Sequence, residues 1–416
     1  MEINAGDTAW VLGSAALVMF MTPGLALFYG GMVRAKNILA MLMQNFFSLG
    51  LVSVLWAFVA YSLAFGGTGA WIGNFEFLGL RDVVTTAPPG LEAITIPPLL
   101  FMAYQMMFAV ITPALITGAI ADRVRFGAWA WFLGLWLVLV YSPVAHWVFA
   151  PSGWLFDLGA LDFAGGTVVH INAGMAALVA VLVIGKRRSW PGTPMPPHSL
   201  PITLIGTGIL WFGWFGFNAG SALAANGLAA QAFVNTHLAA AAAMLGWLAV
   251  ERLKGGHATT LGAASGAVAG LVAITPCAGF VGGFAPVWIG LVAGALCYFA
   301  VSLKFRFGYD DSLDVVGVHL VGGIVGSLLL GLFADASVNA VIGSDEGLFF
   351  GGGLSLLGKQ LVATGATIAY SGVVTAVILL VLRAVLPGGL RVEAEDEEIG
   401  LDLTQHSEVG YSLAER

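Results

Sequence analysis

Apolar residues fill runs of about 20 positions that recur along the chain, and polar residues gather in the stretches between them. Each run is long enough for a helix to cross a hydrocarbon core about 30 Å thick. The pattern predicts helices near 9–33, 38–66, 98–120, 127–148, 164–184, 201–220, 232–251, 258–276, 286–303, 314–334 and 358–386. The strands of a β-barrel would instead alternate polar and apolar residues over short segments. The expected fold class is an all-α polytopic membrane protein with eleven transmembrane helices. An odd number of crossings puts the termini on opposite faces.

Charge then chooses the orientation. With the N-terminus outside, the sixteen Lys and Arg fall in inside loops and in the tail that ends at Arg416, except Arg81 and Lys359. That bias fits the positive-inside rule, so the N-terminus is expected outside and the C-terminus inside. Composition agrees: 59% of residues are hydrophobic and 9% are charged, against about 25% charged in soluble domains. The expected location is a cell (inner) membrane, multi-pass, with no nucleic-acid partner. The leader "MEINAGDTAW" carries Glu2 and Asp7 and lacks the basic stretch of a signal peptide, so the first helix is expected to be retained. Cys277 and Cys297 sit in or beside apolar segments. They form neither a disulfide framework nor a metal cluster and are expected to pack as small hydrophobes.

Two halves of the chain resemble each other. "AVITPALITGAIA" from Ala109 matches "VAITPCAGFVGGFA" from Val272, and "LDFAGG" precedes His170 as "LDVVG" precedes His319. Five helices per half is odd, so successive halves enter from opposite faces. This is the inverted repeat of transporters, with the substrate path at the repeat interface. The expectation is two inverted five-helix repeats plus a final helix, spanning 1–386. Residues 387–416 form a polar, acidic cytoplasmic tail. Leu401, Leu403, Val409, Tyr411 and Leu413 interrupt its charges. It reads equally as a solvating end or as a docking element.

Polar groups at membrane depth cost about 2.5–3.5 kcal/mol for a charged residue, so each needs a reason. His170 and His319 fall at matching repeat positions and are expected to meet and share a proton. Asp162 and Asp314, just before them, are expected to accept backbone N–H groups at helix starts. "ILWFGWFGFNAGS" places Trp214, Phe217 and Ser221 at one helix end, and Tyr104 and Phe108 lie one turn apart. Aromatic faces attract cations by roughly 0.5–2 kcal/mol. Carrying a bare ion through a dry pore costs of order 20 kcal/mol in the idealised limit. The substrate is therefore expected to be a cation at the mouth and neutral inside, which ammonium can be and potassium or sodium cannot.

"FMTPGLALFYGGMVRAKN", "ITPALITGAIADRVRF", "LDFAGGTVVHINAG", "WFGWFGFNAGSA" and "DVVGVHLVGGIVG" resemble, in order along nearly the whole chain, segments of the ammonium transporter (Amt/Mep/Rh) family, prokaryotic Amt branch. The resemblance implies eleven helices, an inverted repeat and a homotrimer with one pore per subunit. By the same resemblance Phe108 and Phe217 block the pore entrance, Ser221 belongs to the outer recruitment site, and Asp162 supports that site. His170 and His319 line the pore, and Gln105 and Trp214 neighbour the path. Tyr104 takes a place that is often Phe. The family's "HWVWGGG"-like run reads "HWVFAPSGW" here, which puts Phe149 where Trp is usual, flanked by Trp147 and Trp154. The tail segment "GLDLTQHSEVGY" resembles the family's regulatory segment, with Ser407 for Gly and Gly410 for Ala, and implies a PII-type signal protein as partner.

The expected function is transport of ammonium or ammonia across the cell membrane, without an enzymatic step and without a cofactor. A sensor of the same fold, signalling through its tail with little flux, is the alternative. A haem held by the two histidines would need a wide cavity, which glycine-rich helices disfavour.

Overall fold

The computed structural model describes residues 2–411, so Leu413 and Arg416 lie outside the described residues. In chain order the apolar helices are α1 (Ala5–Met32), α2 (Ala35–Phe65), α3 (Pro98–Ile120), α4 (Phe126–Asp157), α5 (Gly166–Ile184), α6 (Leu200–Ala222), α7 (Gly227–Gly255), α8 (Thr260–Ile274), α9 (Ala285–Phe307), α10 (Val316–Phe333) and α11 (Ser355–Val385). All but α8 are long and apolar enough to cross a membrane, which makes ten. Two short helices follow, α12 (Ala394–Ile399) and α13 (Leu401–His406). Among the described residues there is no β-strand, only an isolated bridge between Val124 and Arg391.

α8 departs from its expected span of 258–276. It stops after 15 residues, about 22 Å at 1.5 Å per residue. Pro276 has no N–H to continue the ladder. Tight turns take over instead, with Cys277 N donating to Ile274 O at 2.8 Å and Phe280 N to Cys277 O at 2.8 Å. These turns stay buried, so the segment keeps its depth without keeping its helix.

Small residues set the packing. α1 and α6 run so close that a Cβ on Gly206 would collide with the Phe28 backbone, and α5 and α10 so close that one on Gly174 would strike the backbone of Leu320. Close backbone approach at Gly and Ala is the usual basis of helix association in lipid. Large apolar residues such as Val54, Phe58, Leu182 and Val373 are exposed instead, which suits a lipid-facing surface.

Four helices contain π turns: Trp56–Ala60, Leu137–Tyr141, Gly166–Ile171 and Val316–Leu320. The last two open α5 and α10 and contain His170 and His319. A π turn accommodates one extra residue and re-aims the side chains around it.

Candidate functional site

The chain before α5 is organised by one carboxylate. Asp162 Oδ1 accepts from the N–H groups of Gly165 and Gly166, both at 2.7 Å. Its Oδ2 accepts from Thr167 at 2.7 Å and Val168 at 3.3 Å. The first N–H groups of a helix have no partner within it, and a carboxylate there satisfies them and complements the dipole. Gly165 makes the turn possible with φ +116°. Five residues later His170 is buried in the interior.

α10 repeats this device, with a correction to the sequence expectation. The carboxylate that accepts the helix-start N–H groups is Asp311, not Asp314. Asp311 takes Val315 N at 3.1 Å and Val316 N at 2.7 Å. Asp314 has φ +65° and pairs with Lys304 Nζ at 2.6 Å. Asp311, Asp314 and His319 thus keep the spacing of Asp162, Gly165 and His170. Asp314 occupies the position of the left-handed glycine, a conformation that Asp tolerates better than most residues.

The two histidines come together. Their Nδ1 atoms are 3.3 Å apart and their rings lie 5.3 Å apart, tilted by 25°. Trp214 stacks on His170 at 5.4 Å, held by its own Nε1 bond to Thr275 Oγ1 at 2.9 Å. Around the pair is a cavity of about 10 Å³, lined by His170, His319, Trp214, Phe217 and aliphatic side chains such as Leu25 and Val268. That is close to the smallest space that admits one water-sized molecule. A haem does not fit it.

Phe108 and Phe217 pack against each other at 4.3 Å, with their rings tilted by 44°, and are buried. Phe217 lines the histidine cavity, while Phe108 lines a second cavity of about 350 Å³. The ring pair therefore stands between the two spaces. The larger cavity is also lined by Tyr104, Gln105, Phe149, Asp162 and Ser221. Ser221 Oγ donates to Phe217 O at 2.8 Å. Tyr104 packs edge-on to Phe108 at 5.0 Å, and its hydroxyl lies 2.8 Å from Gly216 O and 3.2 Å from Ser221 Oγ. The hydroxyl anchors this tyrosine at the end of α6, which a Phe could not do. Gln105 Oε1 is buried and meets no donor among the described residues, so an acceptor stands available to a ligand N–H.

Of the three aromatic candidates in "HWVFAPSGW", only Phe149 lines this cavity. Trp147 donates to Trp71 O at 2.6 Å and packs on Tyr370 at 4.7 Å. Trp154 packs on Trp71 at 5.2 Å. Both are held by the loop after α2, which buried His146 also grips through Gly69 O while its other ring nitrogen meets Ala64 O at the end of α2 at 2.8 Å. Neither tryptophan takes the place of Phe149.

Two contributors stand outside the motifs read from the sequence. Gln360, fully buried on α11, accepts from Leu161 N and donates to Leu161 O, both at 2.8 Å. It fixes the residue before Asp162. Asp345 lines the larger cavity and pairs with Lys359 Nζ at 2.6 Å. The Lys359 ammonium holds the Asp345 carboxyl below the usual carboxylate range against a small opposing effect of burial, and Ser355 adds a hydrogen bond. A lone Gln in an apolar helix was the available signal for the first. The second sits in a loop with no periodicity to mark it.

At the opposite end the tail is docked. Leu401 N donates to Asn37 Oδ1 and Ala40 N to Asp402 Oδ1, both at 2.8 Å. Arg125 holds Arg391 O and Glu393 at 2.7 Å each, and Lys36 donates to Glu398 O. Beneath the tail, Arg187 pairs with Asp310 at 2.8 Å and Arg34 with Asp122 at 3.1 Å.

Fold and site together define a multi-pass helical membrane protein in which an aromatic pair separates an open cavity from a narrow one lined by histidine. The chain belongs to the Ammonium Transporter Family, whose sequence model matches residues 9–411. That family is one of membrane transporters rather than enzymes. The chain is similar to an ammonium transporter of Mycobacterium tuberculosis, 52% identical over 99% of this chain and 91% of the relative. Its fold is similar to the crystal structure of Saccharomyces cerevisiae Mep2, with a TM-score of 0.90 and 38% identity over 100% of this chain and 93% of that one. A solved structure described as a sensor Amt protein is also similar, with a TM-score of 0.87 and 29% identity over 96% of this chain and 98% of that one.

Proposed function

We propose that this chain recruits ammonium at an outer aromatic site, removes a proton, and conducts ammonia past the histidine pair. The observation that carries the reading is the Phe108–Phe217 pair standing between a cavity of about 350 Å³ and one of about 10 Å³. A hydrated ion does not fit the smaller space, and a bare ion there lacks the ring of oxygens that would replace its water. Ammonia fits and can donate or accept hydrogen bonds. In the larger cavity Phe149 supplies a cation-attracting face, while Ser221 Oγ and Gln105 Oε1 supply acceptors. Asp162 lies along the same cavity and favours positive charge there. The proton follows through His170 and His319, which face each other with nitrogen atoms.

In this reading the chain crosses a cell (inner) membrane eleven times, with α8 as one crossing, in two inverted repeats plus α11, N-terminus out and C-terminus in. Residues 1–386 form the transport domain and 387–416 a regulatory tail. Three copies form a homotrimer. The docked tail is the surface for a PII-type signal protein, and pull-down with and without residues 387–416 tests that partner. Equal recovery would reject it.

The second reading is an ammonium sensor, favoured by the likeness to a sensor Amt protein. Proteoliposomes given an ammonium pulse separate the two, with current and internal pH recorded for the wild type and His170→Ala. A wild-type current lost in the variant, with the pH change retained, supports proton relay by the pair. A pH change without current means gas conduction. Ammonium binding with neither signal would replace transport with sensing.

A further inference from the structure

Among the described residues, two charged ones line the larger cavity, Asp162 and Asp345. Asp162 is saturated by the four N–H groups of residues 165–168. Asp345, on the loop between α10 and α11, is bound differently. Its Oδ2 pairs with Lys359 Nζ at 2.6 Å, and its Oδ1 accepts from Ser355 Oγ at 3.1 Å. The pair is not sealed, since 34% of the Asp345 side chain and 23% of the Lys359 side chain stay accessible. The lysine reaches the cavity wall itself. A Cβ on Gly159, which lines the cavity, would come within 2.9 Å of Nζ.

A fixed ammonium group thus stands at the mouth of a cavity read as the recruiting site for a free one. Unbalanced, it would repel the substrate, because a cleft with low-dielectric walls focuses the field of its lining charges. Asp345 is the group that balances it. Phe149 adds a weaker face than a tryptophan would, which leaves more of the recruitment to the field.

We propose that Asp345 and Lys359 form a charge-balanced rim that sets how strongly the outer cavity attracts ammonium, Asp345 drawing the cation in and Lys359 limiting it. This rests on the transport reading and adds two specificity-determining residues to the same site. The rim acts before the proton is lost, so it governs half-saturation rather than maximal flux.

The test measures half-saturation by ammonium in proteoliposomes for the wild type, D345N, K359Q and the double variant D345N/K359Q, at low and high salt. D345N is expected to raise half-saturation about twofold to fivefold and K359Q to lower it by a similar factor, the scale of one unit charge in a partly aqueous cavity. The double variant is expected to return close to wild type. All differences are expected to shrink towards unity at about 1 M salt, where the screening length is about 3 Å. Wild-type transport with unmoved single variants would overturn the rim alone, as would shifts of both in the same direction. A wild type that neither transports nor binds ammonium would overturn the transport reading and the rim with it.

Discussion

His170 and His319 meet through the same ring atom, with Nδ1 facing Nδ1 at 3.3 Å. Only one of the two can hold the hydrogen that lies between them, so the other must accept. The pair therefore behaves as one unit with one shared proton, although its halves differ, since His170 Nε2 is buried without a partner among the described residues and Trp214 stacks on His170.

That arrangement predicts non-additive losses. His170→Ala and His319→Ala are each expected to cut ammonium-driven current about tenfold or more, because either change removes the relay. The double variant is expected to lose no more than the worse single one, as groups acting as a unit do. Current recordings on the three variants check this. Losses that multiply would mean the two rings work independently.

Phe149 supports a prediction of opposite sign. It lines the larger cavity with Ser221 and Tyr104, and a tryptophan face attracts cations more strongly than a phenylalanine face. Phe149→Trp is expected to lower half-saturation by ammonium about twofold to fivefold. Unchanged half-saturation would mean that this face does not contribute to recruitment.

The parts legible in the sequence were those that repeat or run long. His170 and His319 were visible because Asp, Gly and His recur before and within matching apolar runs. The same pattern misled at Asp314. It is the nearer acid to the second helix, yet the chain there is left-handed at Asp314 and the capping carboxylate is Asp311. A 3.6-residue period cannot reveal π turns, so the way the imidazoles are aimed was not readable. Nor was the short α8, where Pro276 and buried turns replace helix at unchanged hydrophobicity. Asp345 reaches the site from a loop, and Trp147 and Trp154 are held away from it by the loop at Trp71, through bonds such as Trp147 Nε1 to Trp71 O. Loop paths like these carry no periodic signal.

Gln360 predicts a coupling between α11 and the site. Its amide satisfies both backbone groups of Leu161 from a fully buried position. Gln360→Leu leaves both unsatisfied, at about 1–3 kcal/mol each. The expected result is a lower melting temperature together with raised half-saturation, since Asp162 follows directly. Thermal unfolding in detergent and an ammonium titration check the two effects. A variant that melts lower but keeps wild-type half-saturation would confine Gln360 to stability.

His406 makes tail docking depend on pH. It ends α13 and its ring packs edge-on to Phe126 at 5.2 Å. Burial pushes its pKa down, against the raising effects of Asp402 and Glu408. The docked state therefore prefers neutral imidazole. Its contribution is fully present above the undocked value of about 6.5 and is lost as pH falls through the lower docked value. Amide exchange of residues 401–406, corrected for intrinsic rates, is expected to show protection near pH 7.5 that declines towards pH 5. His406→Asn is expected to flatten that profile. Protection that declines equally in the variant would assign the pH dependence to another group.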